Sequence, residues 1–210
     1  MHGARRGPSL LPMSHDIRLI AAAHEHSVHQ AALTSSAAAQ VVMLGAGQPE
    51  LEQALEAAQA AHPDFFRGAA RFSEPLAHAI VAGADILAMP SRFEPCGLNQ
   101  MYALRYGTVP VACATGGLRD TIDDVSPFGE GDSARGTGWT FTPATPAALT
   151  RALGRAVNVY REHPARWRAI QQEGMRRDSG WGRAAAAYEQ VIERVVASAQ
   201  QAPEKAARVP

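Results

Sequence analysis

The sequence has one lysine, two cysteines and no long apolar run. Its 20 basic residues, all arginine except Lys205, are balanced by 20 acidic residues, so the net charge is zero. Nucleic acids and anionic membranes select proteins with a basic face, and neither is therefore expected as the main partner. No apolar stretch approaches the roughly 18 residues that suggest a membrane span.

The cysteines and the N-terminal residues predict a cytoplasmic location. Cys96 and Cys113 have neither the spacing of a metal site nor that of a disulfide framework, as expected for a reducing compartment. The apolar residues 10–13 are too few, and too interrupted by proline, for a secretory signal.

The 210 residues, 46% of them apolar, are sufficient for one domain with a hydrophobic core. Residues 1–34 show no strong periodicity and are predicted to form an irregular N-terminal segment. Residues 35–199 are predicted to form a Rossmann-like domain that includes the C-terminal helices. A frayed tail is expected at residues 200–210.

Short apolar runs alternate with helical stretches from residue 40 onwards. Strands are predicted at residues 41–44, 65–67, 85–90, 109–113 and 139–141, with helices between and after them. This alternation is typical of an α/β fold in which helices cover both faces of a parallel sheet. Ligands of such sheets bind beyond the carboxyl ends of the strands, so we expect the site at the turns that follow the predicted strands.

The turn after residue 90 has the features of an anion site. Pro95 and Gly97 stand where the next helix begins, so the backbone N–H groups around Cys96 are expected to point out of the helix N-terminus. Such groups, together with the helix dipole, suit a diphosphate. Glu94 precedes them and is interpreted either as a capping charge or as a carboxylate that meets positive charge on a sugar.

Two further turns are rich in glycine. Gly45 begins the turn after the first predicted strand, and Thr115, Gly116 and Gly117 follow the fourth. Glycines allow the backbone to approach a bulky ligand closely, but they are also typical of tight turns that serve packing alone. The residues themselves leave both interpretations open.

Residues 85–121, DILAMPSRFEPCGLNQMYALRYGTVPVACATGGLRDT, resemble the donor-site segment of bacterial glycogen synthases and plant starch synthases. The shared pattern is Pro-Ser-x-Phe-Glu-Pro-Cys-Gly-Leu-x-Gln, then Tyr-Gly-Thr-x-Pro and Thr-Gly-Gly-Leu-x-Asp. It is highly specific, and looser similarity extends from about Gln40 to Ala197. The resemblance implies a GT-B enzyme, in which two Rossmann-like domains face each other and the C-terminal one, represented by this chain, binds ADP-glucose.

The reaction that the resemblance implies transfers glucose, with retention of configuration, from ADP-glucose to the 4-hydroxyl at the non-reducing end of an α-1,4-glucan. UDP-glucose stays open as an alternative donor. No cofactor is implied, and no Asp-x-Asp motif indicates a metal. The family's N-terminal domain, which carries a Lys-x-Gly-Gly-Leu motif and most of the acceptor groove, has no counterpart in this sequence, so a separate N-terminal half is the expected partner.

The resemblance also assigns roles to individual residues. Glu94 corresponds to the catalytic carboxylate beside the donor sugar, and the N–H groups of Gly97 and Leu98 to those that hold the distal phosphate. Phe72 falls where the family has an aromatic residue against adenine, and Tyr102 stands where related transferases carry a second glutamate for ribose. The other implied donor-binding residues are Gly45, Cys96, Thr115, Gly116, Gly117 and Arg18.

One feature of the family is missing. The family has an arginine and, five residues later, a Lys-Gly pair, and these cations clamp the diphosphate. The corresponding window here, residues 18–24, has Arg18 in place of that arginine but no lysine. A charge-assisted contact contributes about 1.5–3 kcal/mol, so its loss lowers the expected activity.

Three functions are therefore compatible with the sequence. The first is a glucosyltransferase that acts together with its N-terminal half. The second, suggested by the missing lysine, is a non-catalytic module that binds ADP or ADP-glucose, or a degenerate fragment. The third is another GT-B transferase, of the sucrose or trehalose-phosphate type, and Cys96 and Tyr102 argue against it.

Overall fold

The sheet of this protein has six parallel strands. The computed structural model describes residues 17–22, 39–125 and 136–201. The strands are β1 (Ile17–Ala22), β2 (Ala39–Leu44), β3 (Phe66–Ala69), β4 (Ile86–Met89), β5 (Val109–Cys113) and β6 (Trp139–Phe141). They pair in the order β3-β2-β1-β4-β5-β6, and every pair is parallel. This is the strand order of a doubly wound Rossmann sheet, and it confirms the predicted fold class.

Seven helices connect and extend these strands within the described residues. They are α1 (Pro49–Ala61), α2 (Glu74–Gly83), α3 (Asn99–Tyr106), α4 (Gly116–Thr121), α5 (Pro146–Glu162), α6 (Pro164–Arg176) and α7 (Trp181–Gln201). Two of them begin at a side-chain cap, because the hydroxyls of Ser73 and Thr145 accept hydrogen bonds from the N–H groups of Leu76 and Ala148.

The two faces of the sheet are covered by different helices. Ile86 and Ala88 of β4 pack into a cluster with α1, α5 and α6, whereas Leu87 and Met89 pack with α2, α3 and α4. All four residues of β4 and all five of β5 are buried. Burial on both faces explains why these strands are continuous apolar runs rather than alternating ones.

Strand β1 corrects the predicted irregular segment at residues 1–34. It lies in the middle of the sheet and pairs with β2 over six residue pairs, from Ile17 with Ala39 to Ala22 with Leu44. The strand was missed because it contains an arginine and ends in alanines, which have low β-propensity. The rest of residues 1–34 lies outside the described part of the chain.

The C-terminal end also differs from the predicted domain limits. The described residues up to 177 form one compact unit, and those from 178 to 201 belong to a second, whereas the prediction placed residues 35–199 in one domain. Helix α7 continues to Gln201, and the remainder of the predicted tail lies outside the described residues. None of the helices in the described ranges combines the length and apolar content needed to cross a bilayer.

Candidate functional site

The strand order places a crevice at the carboxyl ends of β1 and β4. These strands are neighbours in space but not in sequence, which makes this point of the sheet its topological switch point. This switch point is where doubly wound sheets bind ligands. The connection after β4, residues 90–98, leads directly into α3 and is called the 90–98 loop below.

Backbone donors are unpaired at the end of the 90–98 loop. Helix α3 begins at Asn99, and Leu98 at its N-cap makes no side-chain capping bond. No described residue accepts a hydrogen bond from the N–H groups of Cys96, Gly97 or Leu98. The first N–H groups of a helix have no partner inside it, so this turn offers several donors to an anion at the crevice.

Gly97 has a backbone conformation that favours glycine. Its φ angle is +73°, and a Cβ at this position would lie 2.5 Å from the side-chain Oε1 of Gln100. Any other residue would be strained by the backbone angle and would also collide with a buried side chain. The turn therefore requires glycine where its N–H groups are exposed.

Glu94 lies in the same loop, with its side chain half-buried. The Ser91 hydroxyl donates to its Oε2 at 3.3 Å, and its carbonyl oxygen accepts from the N–H of Gly117 at 3.0 Å. The first residues of α4 thus hold the backbone of Glu94 by a hydrogen bond, while its carboxylate stays part-exposed at the crevice. A carboxylate held in this way is suited to contact a polar ligand.

The glycine pair after β5 supports the 90–98 loop. A Cβ at Gly116 would overlap the carbonyl oxygen of Glu94, and a Cβ at Gly117 would overlap that of Cys96. Gly117 is buried and its N–H is already used, whereas Gly116 is exposed. The Thr115 hydroxyl adds a bond to the carbonyl oxygen of Arg92 at 3.3 Å. The close approach of the two loops therefore explains Thr115 and Gly117 without a ligand.

Both glycine N–H groups of the turn after β2 are occupied. The N–H of Gly45 donates to the carbonyl oxygen of Ala69 at 3.1 Å, and the N–H of Gly47 donates to the Glu52 carboxylate at 2.9 Å. Gly45 therefore offers no free N–H to a phosphate, and its predicted role reduces to allowing close approach. It borders a groove of about 450 Å³ along α1, which does not include the 90–98 loop.

The predicted aromatic and sulfur-containing residues are at the surface. Phe72, just beyond β3, is 87% exposed. Tyr102 is 38% exposed and contacts the His78 ring at a centroid distance of 4.8 Å. Cys96 is exposed in the 90–98 loop, and Leu98 beside it is also exposed.

The role of Arg18 at the diphosphate stays a prediction, because only the backbone of this residue is described. Arg18 lies near the amino end of β1 and pairs with Gln40. Four residues separate it from the carboxyl end of the strand, a distance of about 13 Å at the usual rise per residue. The crevice is at the opposite edge of the sheet. The side chain of Arg18 lies outside the described part of the structure.

Gln100 is a buried polar residue for which no role was predicted. Its side-chain Nε2 lies 3.0 Å from the carbonyl oxygens of both Cys96 and Gly97, and 3.2 Å from the Thr121 hydroxyl. The quoted family pattern contains this glutamine, and that was the available signal. Among the described residues, no group of three or more His, Cys, Asp or Glu side chains is placed to hold a metal ion.

Comparison with known proteins gives consistent matches. A family model described as glycosyl transferases group 1 matches residues 14–158. Starch synthase 1 of Arabidopsis thaliana is 49% identical over 154 residues, which are 73% of this chain and 24% of that protein. Soluble starch synthase 2-2 of Oryza sativa subsp. japonica is 52% identical over 153 residues, covering 73% of this chain and 22% of its own length.

A solved structure gives the same result for the fold. The catalytic domain of starch synthase IV from Arabidopsis thaliana, bound to ADP and acarbose, matches with a TM-score of 0.78 and 30% identity, over 90% of this chain and 40% of that one. These matches confirm the resemblance found in residues 85–121. The chain spans about a quarter of the length of the two curated relatives.

The expected cytoplasmic location is wrong by comparison with these relatives. Both are named as chloroplastic or amyloplastic proteins. The prediction rested on cysteine content, which distinguishes reducing from oxidising compartments. It does not distinguish one reducing compartment from another.

Proposed function

The chain belongs to the glycosyltransferase group 1 family, and from this premise we propose that it is the donor-binding part of a starch- or glycogen-synthase-like glucosyltransferase. It binds ADP-glucose at the crevice between β1 and β4. It transfers glucose, with retention, to the non-reducing end of an α-1,4-glucan held by an N-terminal domain. The names of the relatives support a plastid as its compartment.

One observation carries this proposal. The unpaired N–H groups of Gly97 and Leu98 lie at the switch point of the sheet, in the same loop as the part-exposed carboxylate of Glu94. A diphosphate needs several converging N–H groups, and the glucose of the nucleotide sugar needs a hydrogen-bond acceptor beside its hydroxyls. This loop supplies both over five residues. That the similar starch synthase IV structure is a complex with ADP and acarbose supports ADP as the nucleotide.

The proposed chemistry follows from these positions. When the bond between glucose and the diphosphate breaks, negative charge grows on the phosphate oxygens and positive charge grows on the sugar. The N–H groups of Gly97 and Leu98, with the dipole of α3, stabilise the first. The carboxylate of Glu94 orients the glucose hydroxyls and stabilises the second. Because all these groups are fixed before the ligand arrives, little reorganisation is needed.

Phe72 is proposed to stack on the adenine ring. It is exposed at the carboxyl edge of the sheet, and β3 lies three strand spacings from β4, or about 14 Å. An extended nucleotide can span such a distance along the edge. UDP-glucose is the competing donor, and the affinities for ADP and UDP distinguish the two.

The test has two stages. Titration calorimetry of the chain with ADP measures donor-site binding, with UDP as the comparison. Transfer of labelled glucose from ADP-glucose to glycogen is then measured after the chain is joined to the N-terminal half of the similar Arabidopsis starch synthase 1. Binding with transfer supports the proposal, and a folded fusion that binds ADP but moves no glucose rejects catalysis.

A non-catalytic ADP-binding module is the second candidate, and one observation favours it. The family's diphosphate-clamping lysine is absent, since the chain has no lysine before Lys205, and the backbone of Arg18 lies near the amino end of β1. This candidate predicts ADP binding without transfer in the fused enzyme. If a lysine introduced at Ala23, five residues after Arg18, restored transfer, the missing cation would be identified as the cause.

A further inference from the structure

The side chain of Gln100 is completely buried beneath the 90–98 loop. Its Nε2 has three acceptors within 3.2 Å: the carbonyl oxygens of Cys96 and Gly97 and the hydroxyl of Thr121. The first two of these acceptors belong to the turn that carries the unpaired N–H groups. A side chain amide that donates to both can determine how this turn is oriented.

The two bonded carbonyls belong to the same peptide units as the two exposed donors. In a trans peptide the C=O of one residue and the N–H of the next point in opposite directions, because the unit is planar. The carbonyl of Cys96 shares its unit with the N–H of Gly97, and the carbonyl of Gly97 shares its unit with the N–H of Leu98. When Gln100 binds both carbonyls, both N–H groups are turned away from it, towards the ligand side.

Thr121 extends this arrangement to the second glycine turn. Its hydroxyl accepts from Gln100 and donates to the carbonyl oxygen of Gly117. Gly117 in turn donates its N–H to the carbonyl of Glu94. Gln100 therefore lies between the residues that present the backbone donors and those that hold the backbone of Glu94.

The Gln100 amide is not fully satisfied. Within the described residues its Oε1 is buried without a hydrogen-bond partner, which is unfavourable for stability. A methionine would fill a similar volume without leaving a buried acceptor unpaired. The glutamine is therefore better explained by the orientation of the turn than by the stability of the core.

We propose that Gln100 is a positioning residue that orients the N–H groups of Gly97 and Leu98 towards the distal phosphate of the donor. This inference rests on the proposed function, because it assumes that these N–H groups bind a diphosphate. It goes beyond it by assigning their orientation to one buried side chain that does not itself touch the ligand.

The test is Gln100→Met, with affinities for ADP and AMP measured by titration calorimetry. AMP lacks the distal phosphate, so its binding does not depend on these two N–H groups. The Kd for ADP is expected to rise about tenfold or more, the equivalent of one well-aligned bond to a charged group, while the Kd for AMP changes less than about twofold. A merely structural role would weaken both ligands together.

Thr108→Val is the matched control. Thr108 is also buried, and its hydroxyl donates to the carbonyls of Val81 and Ala84 at the amino end of β5, away from the crevice. Its loss is expected to lower the unfolding temperature without changing the ratio of the ADP and AMP affinities. A change of that ratio in the control would overturn the proposal, because general destabilisation would then explain it.

The outcomes separate the inference from the proposed function. If the unaltered chain does not bind ADP, the proposed function is rejected, and the role of Gln100 with it. If it binds ADP and Gln100→Met binds equally well, only the role of Gln100 is rejected. Should Gln100→Met not fold, Thr121→Val replaces it. That variant is expected to lose ADP affinity selectively, by a smaller factor, and an unchanged ADP affinity would reject the inference.

Discussion

Gly117→Ala tests whether the two loops at the crevice are as closely packed as the structure indicates. The added methyl would overlap the carbonyl oxygen and carbon and the Cα of Cys96. All three are backbone atoms, so no side chain can rotate away, and the loops must separate. Overpacking of this kind costs about 1–3 kcal/mol, and loss of the hydrogen bond from Gly117 to Glu94 adds about 0.5–1.5 kcal/mol.

We therefore expect the free energy of unfolding to fall by roughly 2–4 kcal/mol. In urea, where the slope is about 2 kcal/mol per molar, the midpoint should decrease by about 1–2 M. The 90–98 loop should move with Cys96, so the affinity for ADP should fall as well. This affinity is measured without urea, at a temperature where the variant is fully folded. Circular dichroism in a urea series and calorimetry give the two quantities.

Gly154→Ala is the control for the same chemical change. Gly154 is exposed within α5, and a Cβ there would have no atom within 4 Å apart from its chain neighbours and the backbone of its own helix. This variant should gain about 0.5–1 kcal/mol from helix propensity and should bind ADP unchanged. If Gly117→Ala were as stable as the unaltered chain, the close approach of the loops, and the support of Glu94 that depends on it, would be refuted.

Three further changes have distinct expected results. Glu94→Gln in the fused enzyme should lower the transfer rate about 10²–10³-fold while ADP affinity changes little, and an undiminished rate would remove Glu94 from the mechanism. Ser73→Ala removes the cap on the Leu76 N–H and should cost about 1 kcal/mol in urea unfolding; a neutral result would mean that solvent replaces the cap. Trp167→Ala removes a buried ring that stacks on Trp139 at 6.0 Å and should cost about 3–5 kcal/mol; a smaller loss would show that this part of the core relaxes.

The sequence predicted the strands that are buried on both faces. β4 and β5 are uninterrupted apolar runs that end near proline or glycine, and such runs have few other interpretations in an alternating chain. β1 was missed because its arginine and alanines give it low β-propensity, while what holds it in the sheet is its pairing with β2 and β4. Local propensity does not contain that information.

The candidate site could be predicted only in part, because some of its contacts join segments that are separate in sequence. The position of the 90–98 loop followed from topology, because every parallel strand ends at the same edge of the sheet. The packing of Gly117 against Cys96 and the contacts of Gln100 with the turn depend on how two loops meet in space. Arg18 was assigned by its position in a window of sequence, and the strand register places its backbone near the amino end of β1.

The bonds that join the loops after β4 and β5 have a consequence for solution conditions. They run from the N–H of Gly117, the hydroxyl of Thr115 and the amide of Gln100 to main-chain or hydroxyl oxygens, so none of them is an ion pair. Added salt screens charges but leaves such neutral contacts almost unchanged. A fall in ADP affinity at high ionic strength would thus reflect weaker attraction of the anion, with the shape of the crevice preserved.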